Sequence, residues 1–324
     1  MYNPPFSISS KAINLIAKIS AQIERYAIRM EQSDSLKLRK ANRIKTIHSS
    51  LAIEGNNLSE GEVMAILEGK NVIAPQKEIL EVRNAIKTYE LYSTLNPFSI
   101  EDMLKAHLTM MSGLVDEAGM FRRKGVGVFD GTTAVHIAPP AERVKDLMND
   151  LFIWLESSED HLLIRSCVFH YEFEFIHPFA DGNGRIGRLW QSLILGKLNP
   201  LFEHLPVENM VYANQQAYYD AITQSSAKGD SQPFIDFMLQ EILNALEDRK
   251  GHTVDEIGLA NSLSENEIKI LGLIRSDRHM SAKRLAEEIG ASPRQIERIL
   301  AGLKERSIIR RVGANRNGYW EVIG

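Results

Sequence analysis

The sequence predicts a mostly α-helical protein with one β-hairpin set into it and a C-terminal helix-turn-helix domain that ends in a two-stranded wing. Three observations lead there. Apolar residues recur at spacings of three and four along most of the chain. One stretch, 119–140, breaks that period with glycine, proline and β-formers. The segment 264–324 has an apolar set of its own and the opposite charge sign from the rest.

From residue 10 to 54 the helical stripe runs through Ile13, Ile16, Ile19 and Ile23, then Ile44, Ile47 and Leu51. Gly55-Asn56-Asn57 ends it, with Gly55 as a helix C-cap. Ser59 with Glu62 three residues on is a capping box and starts the next helix. Further helices are expected at 60–69, 76–95, 99–112, 141–156, 160–176 and 184–197. Val126, Val128 and Phe129 precede Asp130-Gly131, and Val135 and Ile137 follow it, which is a hairpin pattern. In the tail, helices are expected at 265–276, from Ser281 to Ile289 and from Ser292 to Glu305. Ile308-Ile309 and Tyr319 to Ile323 then form the strands of a wing.

A chain of 324 residues has room for roughly two domains of about 150 residues. The expected division is an N-terminal helical region at 1–95, a core at 96–250 and the tail at 264–324, with a polar linker around 248–264. The tail holds 12 Lys and Arg against 8 Asp and Glu, net +4, so the rest of a chain of net charge −4 carries −8. One cysteine, Cys167, excludes an internal disulfide and fits a reducing compartment. The first residues lack a basic start and an apolar core, and no apolar run approaches the roughly 20 residues of a membrane span. A cytoplasmic protein without a membrane partner is expected.

The segment Gly182-Asn183-Gly184-Arg185-Ile186-Gly187 admits two readings. As a dinucleotide fingerprint it needs a buried strand before it. Residues 169–178 carry two acids and two histidines and continue a helical run, which argues against that. The second reading is a polyphosphate site. Glycines let backbone N–H groups approach an anion, and the following helix presents its N-terminus. Arg185 and Arg188, three apart, add two guanidiniums. Asp181 offers a carboxylate to Mg²⁺ shared with phosphate oxygens. His177, just before the loop, can take a proton from an incoming hydroxyl.

His177 to Arg188 resembles the signature of the Fic family, His-x-Phe-x-Asp/Glu-Gly-Asn-Gly-Arg-x-x-Arg, at all eight of its fixed positions. The resemblance extends over about 40–245. Glu117 to Arg122 with Val135 to Pro140 is similar to the family's flap. Tyr218-Tyr219 and Gly229 to Phe234 are similar to its nucleotide-closing segments. It implies a Fic helical core and a protein adenylyltransferase that uses ATP and Mg²⁺. His177 is then the general base, Asp181 the metal ligand, and Gly182, Asn183 and Gly184 the anion hole. Arg185 and Arg188 hold phosphates, Tyr218 and Tyr219 bind nucleotide, and Phe179 anchors the loop. The target is a Ser, Thr or Tyr hydroxyl of a protein, the enzyme itself included.

Ser50-Leu51-Ala52-Ile53-Glu54-Gly55 resembles the family's inhibitory motif, with Arg188 as the implied partner of Glu54. The residues agree, since an acid that closes a helix opposes the dipole and calls for a basic partner. Autoinhibition is expected. Two rival functions stay open, removal of AMP from a modified protein and DNA-binding regulation with a nucleotide-sensing core. Arg294, Arg298, Arg310, Arg311 and Arg316 suit DNA phosphates, while Glu297 and Glu305 interrupt that face, so the tail's partner is either DNA or a protein. The oligomeric state is open, a homodimer included.

Overall fold

The computed structural model describes residues 2–30, 35–125, 127–130, 133–204, 207–248, 265–305, 308–312 and 319–322. The chain divides into two compact units, Met1–Glu31 with Asn42–Asp248, and Gln32–Ala41 with Arg249–Gly324. Residues 249–264, where the sequence places a linker, lie outside the described residues.

The larger unit is helical apart from one hairpin. Its elements are α1 (Ser10–Met30), α2 (Ser35–Ala52, of which the residues up to Ala41 fall in the other unit), α3 (Glu60–Leu67), α4 (Gln76–Glu90), α5 (Ile100–Met111), β1 (Gly127–Asp130), β2 (Thr133–Ile137), α6 (Ala141–Ser157), α7 (Leu162–Ile176) and α8 (Asn183–Leu198). Then come α9 (Val207–Ala213), α10 (Gln215–Lys228) and α11 (Gln232–Asp248). The last three are helices that the sequence reading did not assign.

The apolar stripes become the core. Ala12, Leu15, Ile19 and Ile23 of α1, and Ile44, Ile47 and Leu51 of α2, are buried with residues of α4 to α11 in one cluster. Ile13, counted in the stripe, is instead exposed. Gly55 lies at φ +86° and the Asn56 N–H reaches the Leu51 carbonyl at 3.1 Å, a Schellman end for α2. The Ser59–Glu62 capping box opens α3. The helix expected over 76–95 stops at Glu90, and a single 3₁₀ turn at Tyr92–Thr94 follows. Helices α7 and α8 are buried on nearly every side and form the centre of the unit. No helix among the described residues is long and apolar enough to cross a membrane.

Strands β1 and β2 pair antiparallel, Gly127 with Ile137 and Asp130 with Thr133, with an irregularity between Val128 and Phe129. Gly131 of the expected turn, and the side chains of 126–137, lie outside the described residues. The N-terminal segment is tied down across the unit. Phe6 meets Trp154 edge-on at 5.9 Å, Ser7 Oγ donates to Asp230 at 2.6 Å, and the Tyr2 hydroxyl donates to Glu172 of α7 at 3.1 Å.

The tail consists of α12 (Glu265–Ser276), α13 (Ala282–Ile289), α14 (Pro293–Glu305), β3 (Ile309–Val312) and β4 (Tyr319–Val322). It has its own core, with Ile270, Ile274, Leu285, Ile296, Leu300 and Leu303 buried together. Ser281 caps α13 through the Arg284 N–H, and Gly290 ends it at φ +73°. The strands pair antiparallel, and the guanidinium of Arg311 lies 4.8 Å from the Trp320 ring centre. Arg294, Arg298 and Arg310 are exposed, and Arg310 is paired with Glu321, while Arg316 lies outside the described residues.

Candidate active site

The site is built where α7 ends and α8 begins. His177 caps α7 in the left-handed region, φ 50° and ψ 61°, with its N–H on the Phe173 carbonyl at 2.9 Å. Among the described residues it is the one non-glycine residue with positive φ. Such a backbone persists only where its surroundings hold it, and Arg122 does so. Buried at 2% exposure, Arg122 donates to the carbonyls of His177 at 2.7 Å, Ile176 at 3.2 Å, Lys124 at 2.9 Å and Pro139 at 2.6 Å. One side chain therefore fixes the histidine's backbone and the chain on both sides of the hairpin. The His177 ring sets Nδ1 3.4 Å from the Glu174 carbonyl. With Nδ1–H donating there, Nε2 is left as the proton acceptor.

The loop that follows is held from inside. Phe179 is fully buried, with its ring stacked on His107 at 3.7 Å and 6°. His107 accepts the Gly119 N–H at Nδ1, 2.9 Å, and donates from Nε2 to the Asp181 carbonyl, 3.0 Å. Burial pushes its pKa down to about 4, so the ring is neutral at neutral pH and fixed in that tautomer. Asn183 clamps Phe179 from the other side. Its amide oxygen takes the Phe179 N–H and its amide N–H₂ donates to the Phe179 carbonyl, both at 2.9 Å. Its side chain is thus spent on the loop, and what it can offer an anion is its backbone N–H. Gly182 needs its glycine. It lies at φ +86°, and a Cβ there would come within 2.7 Å of Met111 Sδ.

Both signature arginines sit on the first turns of α8 and face acids. Arg185 donates to Asp181 at 3.0 Å and lies 3.7 Å from Glu81. Arg188, 1% exposed, donates from Nη2 to Glu54 Oε1 at 2.7 Å and to the Ser50 carbonyl at 3.1 Å. Burial is the largest single influence and lowers the arginine's pKa, but the charge and hydrogen bond of Glu54 together with Tyr218 and Glu174 outweigh it and hold the guanidinium above its ordinary value. The two residues of the upstream motif therefore converge on Arg188, Glu54 through its carboxylate and Ser50 through its backbone carbonyl. Gly184 makes room for the pair, since a Cβ there would stand 2.6 Å from Glu54 Oε1 and 2.8 Å from Arg188 Nη1.

Asp181 is half exposed, and its Oδ1 accepts the Gly182 N–H at 2.5 Å as well as Arg185. Mg²⁺ keeps several waters and takes one or two carboxylates beside phosphate oxygens. A half-exposed carboxylate beside a helix N-terminus fits that habit. Among the described residues no three His, Cys, Asp or Glu side chains gather into a protein-only cage. Tyr218 is buried, its hydroxyl 3.0 Å from His170 Nε2, while Tyr219 is 46% exposed with its ring 5.3 Å from that of Tyr218. Both are on α10, and burial raises both phenols' pKa.

The Fic/DOC family pattern matches residues 97–195. A solved structure of a Fic family protein from Desulfovibrio desulfuricans G20 is 39% identical, with a TM-score of 0.74 over 100% of this chain and 99% of that one. The chain belongs to the Fic family. The mostly helical fold with a β-hairpin expected from the sequence is the Fic fold. Among curated relatives, the protein adenylyltransferase Fic of Nematostella vectensis is 30% identical over 204 residues, 59% of this chain and 45% of that protein. Protein adenylyltransferase fic-1 of Caenorhabditis elegans is 34% identical over 207 residues, 59% of this chain and 38% of that one. This Fic chain spans less than half the length of the curated relatives it matches.

Four residues of this Fic site escaped the sequence reading. Arg122 lay in the flap segment without a role, and His107, His170 and Glu174 stood in ordinary helical runs. Apart from the Glu174 carbonyl under His177 and the Lys124 carbonyl under Arg122, most of their work is done by side chains on groups distant in sequence.

Proposed function

We propose that this chain transfers AMP from ATP to a hydroxyl of a protein, and that Glu54 holds the reaction in check by occupying Arg188. The 2.7 Å pair between these residues carries the reading. In the reaction, the target oxygen attacks the α-phosphorus while His177 Nε2 takes its proton. The bond from that phosphorus to the bridging oxygen breaks, and pyrophosphate leaves. The N-terminus of α8 with the N–H groups of Gly182, Asn183 and Gly184 receives the phosphate charge. Arg185 and Arg188 orient the rest of the triphosphate. Asp181 would hold Mg²⁺, which neutralises phosphate charge when bound. Names of the curated relatives as adenylyltransferases support this assignment, as does the match of the signature.

A second reading, removal of AMP from a modified protein, draws on Glu54 itself, which stays 31% exposed beside Arg188 and could align a water. The tail, read as a winged helix, would carry target choice or DNA contact through Arg294 and Arg298. The test is intact-mass measurement of the protein and of added target proteins after incubation with ATP and Mg²⁺. An AMP adduct is expected with the intact His177. The variant His177→Ala should form none, a loss of roughly 10²–10⁴ in rate, yet bind ATP with unchanged affinity by calorimetry. Loss of ATP affinity in that variant would make His177 a structural residue and sink the assignment.

A further inference from the structure

Arg188 is surrounded by more acid than it uses. Beside Glu54 it feels two further carboxylates, Glu174 from α7, whose side chain is 12% exposed, and the buried Glu208 from α9. Glu208 has its Oε1 taken by the Tyr89 hydroxyl at 2.5 Å, and its Oε2 is buried with no hydrogen-bond partner among the described residues. Glu174 Oε1 is likewise buried with no hydrogen-bond partner among the described residues, and so is the Nε of Arg188. An unused acceptor and an unused donor thus lie within electrostatic reach of each other, without forming an ion pair. Each is unfavourable if it stays unpaired, and such groups call for an explanation.

The sequence keeps the space for this carboxyl. Gly187, in a position that the family signature leaves unfixed, would with a Cβ stand 2.6 Å from Glu174 Oε1. Glu174 is also three residues before His177 and supplies the carbonyl under its ring. The groups that face Glu174 can be named element by element. On α7 itself His170 Nε2 is 3.8 Å away, but burial pushes its pKa down to about 4, and its Nε2 meets the Tyr218 hydroxyl. Tyr218 and Tyr219 on α10 are held neutral by burial. Glu54 comes from the end of α2 and Arg188 from α8. Arg188 is the one cation in that set.

We propose that Glu174 is a positioning residue for Arg188, taking over the guanidinium when Glu54 lets go and returning it when a triphosphate arrives. The inference rests on the nucleotide reading above. While Glu54 holds Arg188, a second buried anion is disfavoured, and burial raises the Glu174 pKa to about 7. Once Glu54 withdraws, a buried guanidinium without an anion is strongly unfavourable. Glu174 then gives its proton to solvent and pairs with Arg188 Nε. A triphosphate that takes the guanidinium forces Glu174 to bind a proton again. ATP binding to the released enzyme is therefore coupled to proton uptake, and its affinity falls as pH rises through neutrality, by at most roughly tenfold per pH unit.

The experiment is calorimetry of ATP binding with the full chain carrying Glu54→Gly, repeated in buffers of different ionisation enthalpy between pH 6 and 8. The same measurement is made with Glu54→Gly/Glu174→Gln and with Glu54→Gly/Glu208→Gln. Ionisations of ATP and His177 are common to all three and cancel in the comparison. Glu54→Gly should take up as much as about one more proton per ATP than the variant with Glu174→Gln, whose affinity should vary less with pH. Glu208→Gln should leave the uptake unchanged. Equal uptake with and without Glu174, or loss of the uptake with Glu208→Gln, would overturn the proposal. No ATP binding by any variant would overturn the nucleotide reading and this inference with it.

Discussion

A left-handed conformation costs a non-glycine residue about 1–3 kcal/mol, and at His177 that cost is borne by contacts that can be named. Arg122 gathers four carbonyls from three segments, which its planar fork of donors allows and a lysine ammonium does not. Arg122→Lys keeps the charge and loses the fork. We expect a loss of about 1–3 kcal/mol in stability by denaturant unfolding, together with slower AMP transfer, because the histidine backbone is no longer fixed. Unchanged stability would mean that the four contacts contribute nothing net. The same scale accounts for what the sequence could and could not tell. His177, Asp181 and the glycines were legible because a loop that binds an anion needs those residue types in sequence order. Arg122 and His107 were not, since they bond to carbonyls and N–H groups that only the folded chain brings near. Asn183 was legible as a site residue, but its side-chain task, clamping Phe179, was not.

At the scale of elements, the contact between Glu54 and Arg188 depends on how α2 ends. Gly55 at φ +86° lets the chain reverse, and the Asn56 N–H closes on Leu51, so that Glu54 stops beside Gly184 and Arg188. That ending was readable from Gly55-Asn56, as was the start of α3 from Ser59 and Glu62. Helices α9 to α11 were missed, α11 despite a periodic stripe through Ile235, Met238, Leu239, Ile242 and Leu246, and α10 for a physical reason. Its buried residues are few, Tyr218, Ala221 and Ser225, and its sequence is mostly polar, so periodicity alone gives it little signal. Alanine at position 55 would meet no atom within 4 Å but would carry the left-handed cost of about 1–2 kcal/mol. Gly55→Ala should therefore lower stability by about that amount and loosen Glu54. We expect AMP transfer to rise, by less than with Glu54→Gly, in an assay with labelled ATP. A fall in transfer would show that the end of α2 does not set the inhibition.

For the molecule as a whole, the larger unit is closed by its own N-terminal segment, which reaches α7 through Tyr2 and Glu172. Burial raises the Glu172 pKa to about 7. A carboxyl that holds its proton more tightly when folded adds nothing below its unfolded pKa near 4.5, and it lowers stability as pH rises from there to about 7. The loss at higher pH is of order 3 kcal/mol. Glu172→Gln removes it, so the variant should gain on the wild type over that window in urea melts, and a constant difference with pH would contradict the assignment. The tail, with its own core, carries net +4 against −8 for the remainder. Arg188 links the end of α2 to the start of α8 within the larger unit. One arginine fork serves one anion at a time, and misplacing a reacting group by about 1 Å costs on the order of 10² in rate. The direct test is the rate of AMP transfer from labelled ATP by the wild type, Glu54→Gly and Glu54→Gly/Arg188→Ala. We expect Glu54→Gly to be faster by about one to two orders of magnitude and the added Arg188→Ala to remove most of that gain. Equal rates for wild type and Glu54→Gly would contradict the account.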